Sequence, residues 1–128
     1  MTIISVYASL LAFLFVYLSI RTIRLRRSLG IALGHQENPD MLRAMRVQEN
    51  FAEYVPIALL LIFLVESSAA HPLLVHALGT ALVIGRVSHA IGVSRNPENF
   101  NFRVYGMTLT FGVLLLSAVY LLVIAVIR

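Results

Sequence analysis

From Val104 to Ile127 the chain runs twenty-four residues without a charge, and from Ile3 to Ile20 it runs eighteen. A helix rises about 1.5 Å per residue, so either run can cross a hydrocarbon layer about 30 Å thick. Backbone inside lipid must satisfy its own hydrogen bonds, and a single segment of this length does so as a helix. Composition excludes a water-soluble alternative. Of 128 residues, 59% are hydrophobic, and the mean hydropathy is +0.88. A soluble fold this small keeps too much of its surface in water to hide that fraction. The expected class is an all-α integral membrane protein with one domain, residues 1–128. The first span lacks a basic leader and a small-residue cleavage pattern, so it reads as a span that stays rather than a signal peptide.

The middle of the chain is less simple. Tyr54 to Val65 and Pro72 to Gly85 are uncharged but too short to span alone. Extended back to Met41 and forward to Val93 they become long enough, carrying Arg43, Arg46, Glu49, Glu53, Arg86 and His89 at or inside the bilayer edge. ESSAAHP separates them as a short turn in which His71-Pro72 suits a helix start. GHQENPD and SRNPENF are polar turns around Asn-Pro. The pattern predicts four transmembrane helices over about 2–28, 39–66, 72–94 and 101–127.

Arginine sets the expected orientation. Arg21, Arg24, Arg26 and Arg27 follow the first span, Arg43 and Arg46 open the second, and Arg86, Arg95 and Arg103 surround the third turn. No Lys or Arg precedes the first span or occupies the 66–72 turn. The positive-inside tendency then places both Asn-Pro turns in the cytoplasm and both termini outside, with Arg128 a lone exception.

Several function classes fall away. The chain has no cysteine, which removes disulfides and thiolate metal ligands, and no metal site is expected. The pI of 10.1 comes from arginine without lysine. No basic patch interleaved with stacking aromatics accompanies it, so no nucleic-acid partner is expected. A small transporter would show inverted repeats or helices broken at mid-membrane, and neither pattern is present.

The remaining charges converge. At about 100° per residue, Arg43, Arg46, Asn50 and Glu53 share one helical stripe about 80° wide, with Tyr54 at its flank. Arg86, His89 and Val93 share a face of the next helix. Charged groups at this depth cost about 2.5–3.5 kcal/mol each on insertion scales, so they face a partner or a wet cavity. One solution is structural, with Glu53 paired to Arg86 and Arg46 reaching the interface. The other is a ligand cleft. The expected cytoplasmic half holds nine arginines against the five carboxylates Glu37, Asp40, Glu49, Glu53 and Glu98. Such a surplus around one deep acid suits a polyanion that carries an ammonium group.

Arg46-x-x-x-Asn50-x-x-Glu53-Tyr54, followed by Pro56 and an apolar run, resembles the second-helix signature of the MAPEG family, the membrane-associated proteins of eicosanoid and glutathione metabolism. GRVSHAIG at 85–92 is similar to the family's third-helix segment, and Arg103 lies where its fourth helix begins with arginine. The resemblance spans nearly the whole chain and is strongest to bacterial members like the microsomal glutathione transferases. It implies a homotrimer of four-helix subunits in a bacterial inner membrane, with glutathione bound between subunits on the cytoplasmic side. Arg46 and Arg86 then suit the two carboxylates and Glu53 the ammonium. Asn50 suits the peptide, and Tyr54 offers a hydroxyl. His89 orients a neighbour or hydrogen-bonds the ligand. Arg26 or Arg27 reaches the site from an adjacent subunit, or both anchor lipid headgroups. By the same resemblance Arg103 is the catalytic residue, stabilising the glutathione thiolate. The expected activity is a transferase or peroxidase acting on hydrophobic electrophiles or lipid hydroperoxides. The alternative is a non-catalytic trimer holding an anionic lipid or metabolite. One departure stands out: Val93 occupies a position where many members carry tyrosine, which removes a hydroxyl from the expected ligand contacts.

Overall fold

The computed structural model describes residues 2–128 as four helices: α1 (Ile3–Leu29), α2 (Pro39–Ser67), α3 (Pro72–Ser94) and α4 (Phe100–Ile127). Each is long and apolar enough to cross a membrane. The boundaries agree with the sequence expectation to within a residue at each end, and local chemistry explains why. The Asn38 side chain accepts a hydrogen bond from the Met41 amide at 3.0 Å, and Pro39 follows as the first helical residue. His71 caps α3 through Nδ1, which accepts from the Leu73 amide at 3.2 Å, again with proline next. Asn99 caps α4 by accepting from the Phe102 amide at 3.2 Å. Each cap satisfies one of the amides that a helix start leaves without a partner. α1 ends at Gly30, whose φ of 66° is a left-handed conformation glycine adopts without penalty.

α2 and α3 form the centre of the bundle. α1 packs on one side of that pair and α4 on the other, and α1 and α4 do not touch among the described residues. The interior is aliphatic, with Leu11, Leu18, Val55, Ile62, Val75, Leu82 and Val113 all buried. The outer faces are equally apolar: Phe13 is 74% exposed, Leu116 65% and Leu122 67%. An exposed apolar sheath of this extent is incompatible with water and fits lipid.

α3 and α4 make the most extensive contact, and glycine explains it. A Cβ on Gly106 would meet the Gly85 carbonyl oxygen at 2.5 Å and the His89 backbone nitrogen at 2.6 Å. A Cβ on Gly92 would meet the Arg103 backbone nitrogen at 2.5 Å. The two backbones therefore lie against each other, as small residues permit in membranes. This close approach sets α3 and the start of α4 side by side at the arginine-rich end.

At the opposite end, the Glu66 carboxylate of α2 accepts hydrogen bonds from the Ile3 and Ile4 amides. A carboxylate at the first amides of another helix offsets both their unmet donors and the positive end of its dipole.

Candidate functional site

A cavity of about 410 Å³ opens at the arginine-rich end between α2, α3 and the start of α4. α2 lines it with Arg43, Arg46, Glu49, Asn50 and Glu53, one side of a helix read at three- and four-residue intervals. α3 contributes His89 and Val93, the α3–α4 turn contributes Glu98, and α4 contributes Arg103. The volume falls within the range of about 300–1,000 Å³ typical of small-molecule sites.

Of the residues singled out from sequence, Arg46, Asn50, Glu53, His89 and Arg103 line this one cavity. Arg86 lies behind its wall. It is buried, with 2% of its surface exposed. Its Nη1 donates to Asn50 Oδ1 at 2.7 Å and to the Asn50 carbonyl at 3.3 Å. Its Nη2 donates to Met107 Sδ at 3.4 Å, and its Nε has no partner among the described residues. Arg86 therefore meets an amide and not Glu53, the acid that opposite charge alone would have selected. Tyr54 turns toward α4, where its ring meets Phe111 edge-on with centroids 5.5 Å apart. Arg26 and Arg27 line a separate hollow at the end of α1. Arg26 donates from Nη1 to the Gly34 carbonyl at 2.9 Å, tying down the α1–α2 loop.

Sequence reasoning assigned no role to Glu98. Its Oε1 accepts from Arg103 Nη1 at 2.8 Å, and its Oε2 accepts from Arg43 Nη1 at 3.4 Å. The Arg103 hydrogen bond and the charges of Arg103 and Arg43 outweigh desolvation and hold the Glu98 carboxyl below its ordinary range. The turn carrying it is fixed by the Asn99 amide, which donates to the Gly92 carbonyl at 3.0 Å. The only advance signal was an acid two residues before a helix start, between two arginines in sequence.

The electrostatics of the wall follow. Three arginines (Arg43, Arg46, Arg103) face three glutamates (Glu49, Glu53, Glu98), so the lining is formally neutral. The surplus of positive charge at this end of the molecule lies outside the cavity. Arg46 and Glu49 pair at 3.6 Å, both well exposed, which leaves Arg46 weakly held. Glu53 forms no ion pair among the described residues. The cavity thus presents one free carboxylate, one loosely held guanidinium, an amide fixed by Arg86, and two further cations already bound by Glu98. Those groups can grip a zwitterionic, acidic molecule at both ends.

Comparison with known proteins supplies the family. The inner membrane protein YecN of Escherichia coli strain K12 is 34% identical over 112 residues, covering 88% of this chain and 84% of that protein. The protein of the same name from Escherichia coli O6:H1 matches to the same extent. The family model for the MAPEG family matches residues 4–123. With four spanning helices and a match over nearly its whole length, this chain belongs to the MAPEG family.

Proposed function

We propose that the cavity binds glutathione and that the chain is a glutathione-dependent transferase or peroxidase of the bacterial inner membrane, acting on lipophilic electrophiles. The observation that carries this reading is the free Glu53 carboxylate within the same cavity as the loosely held Arg46. Glu53 takes the ligand's ammonium and Arg46 a carboxylate, each contact charge-assisted. Asn50, oriented by Arg86, meets the peptide. In the trimer that family membership suggests, a neighbour's Arg26 or Arg27 completes the site. Both termini lie outside and the site faces the cytoplasm, in keeping with the arginine distribution. An inner-membrane location agrees with the name of the E. coli relatives, which says nothing of sidedness.

Arg103 carries the chemistry. A thiol with pKa near about 8.5 is mostly protonated at neutral pH, and a cation beside it favours the thiolate. The thiolate attacks an electrophilic carbon, the new C–S bond forms, and the leaving group departs with its electron pair. Arginine takes no proton in this step, so its part is electrostatic.

Two observations favour the second reading, a trimeric binding protein without catalysis. Arg103 is already held by Glu98 at 2.8 Å, and Val93 presents no hydroxyl to the cavity. The deciding experiment is glutathione titration of the detergent-purified protein, with thiolate absorbance followed against pH and conjugation of an aryl halide assayed in parallel. Catalysis predicts that Arg103→Ala leaves glutathione binding largely intact, raises the bound thiol's pKa and slows turnover at pH 7, with partial recovery at higher pH. Normal binding with an unmoved thiol titration assigns the site to binding alone. No binding by the unaltered protein refutes both roles for glutathione.

A further inference from the structure

A second cavity of about 550 Å³ lies at the same end of the bundle on the α1 side of α2 and α3. Three cations line it, Arg21 and Arg24 from α1 and Arg43 from α2, against the single acid Asp40. Arg21 and Arg24 are three residues apart on one helix, so their side chains are neighbours, and like charges at that spacing repel unless an anion lies between them. Part of their hydrogen-bonding capacity is spent on the end of α3. Arg21 Nη1 donates to Ser94 Oγ at 2.8 Å, and Arg43 Nη1 donates to the Val93 carbonyl at 3.3 Å. The rest is unmet. The Nε atoms of Arg21 and Arg43 are buried without a partner among the described residues. Arg24 is exposed and forms no ion pair among them.

This basin does not end at the membrane surface. Arg21 and Ser94 also line a third hollow, of about 350 Å³, that continues down the groove between α1 and α3. Apart from Arg21, Ser94 and Arg95 at its mouth, the groove is lined by aliphatic and aromatic residues, including Leu14, Tyr17 and Ile91. A cationic basin with spare guanidinium donors thus opens directly onto an apolar channel along the helices. The order of polarity is that of a phospholipid: phosphate at the membrane surface, acyl chain beneath it.

We propose that this paired cavity is a binding site for one anionic phospholipid, with its phosphate held by Arg21 and Arg24 and one acyl chain in the α1–α3 groove. The site meets the cavity between α2, α3 and α4 only at Arg43, which lines both, and the phosphate ligands Arg21 and Arg24 lie outside that cavity. Guanidinium meets phosphate oxygens with paired hydrogen bonds, and anionic headgroups concentrate near juxtamembrane arginines. A neutral zwitterionic lipid brings its own cation and gains less. A free phosphate satisfies the basin but leaves the groove to bulk lipid.

Native mass spectrometry of the detergent-purified full chain, titrated with phosphatidylglycerol or with phosphatidylcholine of equal chain length, tests this. Phosphatidylglycerol is expected to bind at least tenfold more tightly. The double variant Arg21→Gln with Arg24→Gln should abolish that preference. Arg24→Gln alone, at an exposed position that packing does not need, should reduce it severalfold. Ile91→Trp, also at an exposed position, should weaken phosphatidylglycerol by filling the groove while leaving the basin's charge intact. Arg46→Gln, in the other cavity, should leave lipid preference unchanged. Equal binding of the two lipids, or a preference that survives the double variant, overturns the proposal. So does inorganic phosphate or glycerol 3-phosphate competing as well as the intact lipid, which assigns the basin to a soluble anion.

Discussion

Glu98→Gln is the sharpest probe of the cavity, because one oxygen-for-nitrogen change loosens the hold on two arginines at nearly constant side-chain shape. Glutamine still offers a carbonyl to Arg103, so the α3–α4 turn keeps its shape, anchored separately through Asn99. What disappears is one negative charge that now meets Arg103 at 2.8 Å and Arg43 at 3.4 Å. The lining passes from three arginines against three glutamates to three against two. Both pairs are partly solvated, so each is worth about 0.2–1 kcal/mol. Returning the attraction of the Arg103 pair alone to a bound anion corresponds to at most about a fivefold gain in affinity at 1 kcal/mol. Calorimetric titration of glutathione should therefore show binding about two- to fivefold tighter in Glu98→Gln, with the bound thiol titrating at lower pH. The pH dependence has a fixed sign. The Glu98 carboxyl is held below its ordinary range, so its charge and its pairing persist above that range. Both are lost as pH falls through the lowered value. The variant's advantage should thus be full at neutral pH and vanish in acid, where the unaltered Glu98 is itself protonated. Weaker binding in the variant, or an advantage insensitive to both salt and pH, would refute the claim that Glu98 competes with the ligand for Arg103.

Other expectations follow from the same geometry. Glu53→Ala and Arg46→Ala should each weaken glutathione binding by about 1.5–3 kcal/mol, the worth of a hydrogen bond to a charged group, read in the same titration, with no loss of helical content. Asn50→Ala strips buried Arg86 of its shortest hydrogen bond, so thermal unfolding in detergent should report destabilisation of about 1.5–3 kcal/mol as well as weaker ligand binding. Gly106→Ala places a methyl within 2.6 Å of backbone atoms on α3. Those atoms cannot rotate away, so about 1–3 kcal/mol of stability should be lost, whereas Gly112→Ala, with open space around it, should be nearly silent.

What the sequence made legible was local. Helix ends could be read because Asn38-Pro39, His71-Pro72 and Asn99 carry their own capping chemistry. The stripe of Arg46, Asn50 and Glu53 could be read because helical period alone places residues three and four apart together. What could not be read was depth and partnership across helices. The contact of α3 with α4 rests on Gly85, Gly92 and Gly106, which are indistinguishable in sequence from Gly112 on an open face. Glu66 binds amides 62 and 63 residues away, beyond any local signal. Glu98 sits in a polar turn whose composition explains itself without a site. Tyr54 follows Glu53 directly, yet a step of about 100° aims it at Phe111 instead of the cavity.

The partner of Arg86 decides what the cavity can offer. Opposite charge in an apolar bundle argues for a buried ion pair, and Glu53 is the acid on the facing helix that borders its uncharged run at the cavity end. Had that pair formed, both groups would have spent their charge on each other, and the cavity would have lost its one free carboxylate, leaving nothing to receive an ammonium. Instead Arg86 takes the Asn50 side chain at 2.7 Å and its backbone carbonyl. The amide gives the guanidinium acceptors without cancelling its charge, and it is itself fixed at the cavity wall. Glu53 stays ion-pair-free among the described residues. A buried cation satisfied by a neutral amide is more costly to fold than one satisfied by an acid, since its desolvation is offset by hydrogen bonds alone. The arrangement is understandable where the missing negative charge is needed elsewhere. Asn50→Asp tests that trade: it should stabilise the fold by giving Arg86 a counter-ion while weakening glutathione binding, through a second negative charge beside Glu53. A variant that gains stability and binds unchanged would mean that the choice of amide over acid at this position has no bearing on the ligand.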